Sequence, residues 1–290
     1  MMLTMPASPS SSAQAARKRL ADKLRELRVE RGISGVEFSR QAGWSGSSMV
    51  SLVEKGRRTI SPDHVRLWCR ICEASPRRTE ELLAEQAAVA GTWVTYQQLN
   101  RGGLRKAQES VRDLYEGLSL YRSYQTKVIP GLLQTEAYTT AALTMIRREQ
   151  GVEVDDVADA VAERMDRQNV LRRPDARWVF VFEEAVLRYR PFAAEVHAAQ
   201  LRHLLAVMRR PTVSVGVIPM DADRRNMSPD ESFNITDTRL VSVELVSGFL
   251  SVTDPAEVAM YSAAWERLFA LAVHGDRAAS LIRAAQASLS

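Results

Sequence analysis

The sequence predicts an α+β protein: an N-terminal all-α helix-turn-helix bundle followed by a mixed α/β C-terminal domain with a small sheet. Three observations predict it. From Ser34 to Ser61, apolar residues recur at helical spacing on both sides of Gly43, and a basic stretch, Lys55-Gly56-Arg57-Arg58, follows. Further on, WVFVF (Trp178 to Phe182) and VSVGVI (Val213 to Ile218) are β-rich runs with a helical pattern, Pro191 to Arg209, between them. The charge is also divided. Residues 1–75 carry 13 Lys+Arg against 7 Asp+Glu, whereas the rest carry 26 against 28. Positive potential therefore gathers on the helical bundle, where phosphate neutralisation would use it.

At 290 residues and 46 % apolar content the chain can fill one large or two ordinary cores. The start, MMLTMPASPSSSAQAA, lacks a basic segment followed by an apolar one, so it reads as a disordered tail (1–12) rather than a secretory signal. No apolar run of about 18 residues predicts a membrane span. The expected location is cytoplasmic and nucleoid-associated, with no membrane partner.

Residues 13–75 are expected to form the first domain. Ala13 to Arg31 repeats Leu20, Leu24 and Leu27 on one face, with basic residues opposite. Ser34 then caps a helix to Ala42, with Glu37 completing a capping box. Gly43 turns the chain where a side chain would be strained. Ser45 is expected to cap a second short helix, whose buried register is either Met49 and Leu52 or Val50 and Val53. Its other face carries Ser47, Ser48 and Ser51. Pro62 opens a helix reaching Ala74. Within it, Cys69 and Cys72 have C-x-x-C spacing but no adjacent ligands except His64, so they read as buried core thiols.

The spacing of Phe38, Gly43, Met49, Leu52, Glu54 and Gly56-Arg57-Arg58 resembles the Cro/repressor-type (Xre-like) helix-turn-helix regulators. That resemblance implies double-stranded DNA as partner and a homodimer, because one module covers few base pairs. The expected DNA-binding residues are Ser45, Gly46, Ser47, Ser48, Ser51, Lys55, Arg57 and Arg58. The serine face would read bases, and the three cations would hold phosphates. Gly35 stands where that class often has Gln.

Residues 76–103 read as a helical linker: Thr79 to Ala90 is amphipathic, and Gly102-Gly103 marks a hinge. The C-terminal regulatory domain is expected over 104–290. Leu104 to Tyr124 carries an apolar stripe at helical spacing. Ile129, Pro130, Leu132 and Leu133 form an apolar corner before a helix to about Glu149. Pro191 to Arg209 between the first two strands suggests a parallel β-α-β unit. Phe233 to Ile235 and Leu240 to Leu245 are later strands, close enough to be antiparallel. Asp221 to Glu231 reads as a mobile charged loop. Two final helices start at Pro255 and Arg277.

VIPGLLQTEAY (Val128 to Tyr138) resembles the signature of a large C-terminal domain in actinomycete regulators of sporulation and antibiotic production. Some of these are described as antitoxin-like. Arg164, Arg167, Gln168 and Leu171 resemble a further motif of that family, as do Glu184, Ala185, Leu187 and Arg188. The resemblance implies a regulator that senses a small effector or a small, separately encoded partner protein. An antitoxin-like protein using DNA binding for autoregulation is the alternative. The residues expected to contact such a ligand or partner are Tyr124, Ile129, Pro130, Leu133, Gln134, Tyr138, Arg164, Arg167, Gln168 and Glu184.

No nucleophile elbow, phosphate-binding loop or dinucleotide fingerprint occurs. The four histidines, His64, His197, His203 and His274, are scattered. Glu183-Glu184 is a carboxylate pair at a strand end whose charge Arg164 and Arg167 would complement. No catalytic residue, metal ligand or cofactor is accordingly expected.

Overall fold

The computed structural model describes residues 11–91, 93–225 and 227–289. Most of the expected tail lies outside the described residues; the chain is helical from Ser11. Contacts divide the chain into two compact units, with the boundary between Val94 and Thr95.

The first unit is helical: α1 (Ser11–Glu30), α2 (Gly35–Gln41), α3 (Ser48–Glu54), α4 (Pro62–Ile71) and α5 (Pro76–Gly91). The helix starts follow local chemistry. Ser34 and Ser61 sit in extended backbone and accept from the amides of Glu37 and His64, and Pro62 occupies the first turn of α4. Leu20 and Leu24 of α1 enter a core with Phe38, Val50, Val53, Val65 and Trp68. Trp68 stacks 4.1 Å from Phe38, and its indole N–H donates to the Leu24 carbonyl at 3.0 Å. Such a pairing lets a large aromatic be buried without stranding its polar atom. Helix α5, expected in a linker, packs against α1 and α4 and buries Leu82. Cys69 and Cys72 are free, buried thiols, and burial pushes Cys72 up to about 11.

The second unit is built on a mixed sheet. Its elements are β1 (Trp93–Thr95, at the boundary), α6 (Tyr96–Leu99), α7 (Leu104–Glu109), α8 (Arg112–Glu116), β2 (Leu120–Gln125), α9 (Glu136–Glu149) and α10 (Val157–Arg167). Then come β3 (Arg177–Glu183), α11 (Glu184–Arg188), α12 (Ala194–Val207), β4 (Val213–Ile218), β5 (Phe233–Thr236), β6 (Leu240–Leu245) and β7 (Gly248–Val252). The chain ends with α13 (Pro255–Leu271), β8 (Val273–His274) and α14 (Gly275–Ala287). Among the described residues eight strands form the sheet, in the order β1-β7-β6-β5-β2-β3-β4-β8. β2, β3 and β4 are parallel, with Tyr121 opposite Trp178 and Phe180 opposite Val215; β5, β6 and β7 are antiparallel. The sheet is thus larger than the four strands expected.

Both faces are covered. On one, Trp178, Phe180, Phe182, Val215 and Val217 meet Leu201 and Leu204 of α12 and Ile282 of α14. On the other, Val181, Ile218, Phe233 and Val243 meet Val258, Trp265 and Leu268 of α13. Central parallel strands buried on two faces read as unbroken apolar runs, as WVFVF does.

Three expectations are corrected. The helix expected over Leu104 to Tyr124 is two short helices and then β2, a strand paired on both sides. The boundary between the two units falls at residues 94/95 rather than at Gly102-Gly103. Gly103 adopts φ +95°, and the Asp156 carboxylate accepts from the amides of Leu104 and Arg105, each at 3.0 Å. A Cβ on Gly103 would collide with that carboxylate. Three described residues of the Asp221 to Glu231 stretch have partners where none was expected: Arg224 pairs with Glu183, Met227 packs on the core, and Glu231 accepts from Tyr261.

Candidate nucleic-acid interface

Helices α2 and α3 are joined by a turn that needs glycine. Gly43 has φ +67° and Gly46 φ +132°, conformations that a side chain would strain. The Ser39 hydroxyl donates to the Gly46 carbonyl at 2.9 Å and fixes the second half of the turn. Ser34 caps α2, but the capping box does not close. Glu37 instead accepts from Arg40 and Gln41, and these partners hold its carboxyl down to about 2.

α3 begins at Ser48, not after Ser45. Ser47 is its N-cap residue, with αR backbone and no side-chain capping bond. Both sequence registers fit so short a helix, and packing selects Val50 and Val53, each 2 % exposed. Leu52 is 38 % exposed as a consequence, and Met49 only borders the core. Ser45, Gly46, Ser47 and Ser48 are exposed and Ser51 is half-buried, which leaves one small, polar, outward face. Lys55, Arg57 and Arg58 follow, all exposed, and Gly56 turns the chain at φ +66°.

Sequence reasoning missed what holds this face in place. Glu54 and Arg28 form a bidentate pair, Nε–Oε1 2.5 Å and Nη2–Oε2 2.8 Å, with side chains only 10 % and 12 % exposed. The hydrogen bond to Glu54 raises the Arg28 pKa, and Arg28 also donates to the Ile33 carbonyl. The end of α3 is thereby clamped to α1 and to the start of α2. Glu54 was visible only as one letter of a motif; its partner lies 26 residues away.

In the second unit the expected contact residues face inward. Gly131 to Leu133 form a 3-10 turn, and Thr135 caps α9 by accepting from the Tyr138 amide. Gln134, 2 % exposed, donates to the Ile129 carbonyl at 2.7 Å and accepts from Thr139 and from Arg164 (2.9 Å). Gln168 donates to the carbonyls of Gly131 and Gln134 at 2.9 and 2.8 Å. Gln200 bridges Leu133 and Thr135. Gly131 has ordinary φ; its missing side chain lets the Arg164 guanidinium lie against the backbone, 3.3 Å from where a Cβ would stand.

The structure therefore brings Gln134, Arg164 and Gln168 together, with Arg167 joined to them through Gln108. Ile129, Leu133 and Tyr138 are buried beneath the corner, Pro130 borders it, and burial raises Tyr138 to about 12. Tyr124 points into the core on the other sheet face and donates to Glu183 at 2.5 Å. Glu184 bonds Arg188 and the Met220 amide. The two carboxylates thus have separate cationic partners, Arg224 and Arg188, and neither is Arg164 or Arg167. Gln108 and Gln200 are the structural partners that local sequence did not reveal. Among the described residues no group of three acidic, His or Cys side chains is placed to hold a metal, and no helix is long and apolar enough to cross a membrane.

No curated protein matches the chain. A solved structure described as that of TrmBL2, an archaeal chromatin protein with a novel mode of DNA binding, aligns at 12 % identity and TM-score 0.31. It covers 73 % of this chain and 68 % of that one, a likeness too loose to say more. Residues 19–82 match the family described as Helix-turn-helix domain, which spans α1 to α5 and supports a DNA-binding regulator. Residues 117–284, more than half of the chain, match a second family, and the chain belongs to it: Domain of unknown function (DUF5753).

Proposed function

We propose that this protein is a sequence-specific DNA-binding transcription regulator, cytoplasmic and nucleoid-associated, that binds as a homodimer and senses a small effector through its second unit. One observation carries the reading: α3 buries Val50 and Val53 and leaves Ser48 and its N-cap Ser47 exposed and Ser51 half-exposed, beside three exposed cations. Small hydroxyl side chains allow close approach to base edges, and the cations suit the phosphates flanking the groove. A homodimer doubles these contacts and matches a two-fold DNA site. Effector binding would act by favouring one spacing of the paired recognition helices. The resemblance of the VIPGLLQTEAY corner to regulators of development and antibiotic production supports the same reading.

Binding measured across a salt series tests it. Arg57→Ala should weaken binding to all sequences and reduce the slope of log K against log salt by about 1. Ser48→Ala should leave that slope intact and change base preference. Unchanged affinity of Arg57→Ala at low salt would overturn the docking geometry.

A further inference from the structure

We propose that Arg164 and Arg167 form a binding site for the oxyanion of a small molecule, a carboxylate or phosphate group, at the Gly131 corner. This rests on the effector-sensing reading and names the effector's chemical class. Arg167 is 5 % exposed, yet every acceptor it reaches is neutral: the Gln108 carbonyl and the Gln108 side-chain oxygen at 3.0 Å. Its Nε is buried without a partner. Arg164 is likewise held only by the amide oxygens of Gln108 and Gln134, both at 2.9 Å.

Buried charges are normally paired with an opposite charge, because desolvating an ion costs several kcal/mol that neutral partners repay only in part. Two guanidiniums side by side compound the cost. Burial, and then Arg167, draws Arg164 down to about 10. The acids nearest in sequence are already engaged, since Glu163 and Asp166 both pair with Arg112. The Tyr115 ring under Arg167, 5.6 Å from its Cζ, contributes a π face but no net charge. Glu163 and Glu244 act on the pair only through their field; what it lacks is one anion in hydrogen-bond contact, and guanidinium N–H groups match the oxygens of carboxylate and phosphate in a forked geometry.

The test is the melting temperature of the full-length protein in sodium phosphate, sodium succinate and sodium chloride at matched ionic strength. Phosphate or succinate should raise Tm saturably over chloride, as a ligand of the folded state does, and the better anion identifies the source chemistry. Arg164→Met should melt higher than wild type in chloride, because an uncompensated charge is gone, and should lose the anion-dependent shift. Three results would overturn the site: no shift with either anion, the same shift in Arg164→Met (a general salt effect), or a lower Tm of Arg164→Met in chloride. A low-molecular-weight cell-extract fraction that stabilises wild type and Arg164→Met equally would overturn this site while leaving the effector reading standing.

Discussion

The outward serines of α3 and the inward glutamines around the Gly131 corner are both small sets of polar side chains beside a turn, yet they are used in opposite ways. Ser47 has no capping bond and is exposed, as is Ser48, so their hydroxyls remain available to a partner. Gln134, Gln168 and Gln200 direct their amides to the carbonyls of Ile129, Gly131, Gln134 and Leu133, so they hold irregular backbone inside the protein. A buried loop must satisfy its backbone groups somehow, and here side chains do it. The difference teaches that polar residue type alone does not tell a surface group from one that serves the interior; the partner its hydrogen bonds find does.

The comparison breaks first at Gln134. Gln134→Leu should destabilise the second unit by about 3 kcal/mol, since it strands the buried Ile129 carbonyl and removes an acceptor from Thr139 and Arg164. Ser47→Ala should change stability by less than about 0.5 kcal/mol. Denaturant unfolding of both variants measures the contrast, and comparable losses would erase it. Next in size is the clamp: Glu54→Ala should cost about 3 kcal/mol or slightly less, because it leaves Arg28 nearly buried and unpaired. DNA affinity should fall with it although Glu54 touches no DNA in the proposed docking. The smallest effect sharpens the register. Val50→Ala should cost about 2 kcal/mol, whereas Leu52→Ala should stay within about 0.5 kcal/mol. The reverse order would restore the Met49–Leu52 face to the core.

Much of the first unit was legible from its residues. Gly43, the Ser34 and Ser61 caps and the Leu20–Leu24 stripe are local features, governed by backbone sterics and a 3.6-residue period. The register of α3 was not legible, because seven residues make only two turns and either apolar pair satisfies the period. Contact with the Phe38–Trp68 core decided it. In the second unit the stripe through Leu104, Leu114, Leu118 and Tyr121 imitated one helix. Gly117 interrupts it, and pairing of β2 with β3 and β5 turned its end into a strand. Propensity over a few residues is weak beside the hydrogen bonds of a central strand.

The sequence by itself determined where the helices capped by Ser34 and Ser61 begin, where glycines turn the chain, that a parallel β-α-β unit follows, and that the basic charge belongs with the helical bundle. Only the tertiary structure decided which valines face inward on α3, that Glu54 belongs to Arg28, and that the corner glutamines serve backbone carbonyls. It also decided that Arg164 and Arg167 hydrogen-bond only neutral oxygens of Gln108 and Gln134. The physical reason is separation along the chain: spacing constrains neighbours a few residues apart, whereas pairs such as Arg28–Glu54 or Gln108–Arg167 exist only once packing closes the loop between them.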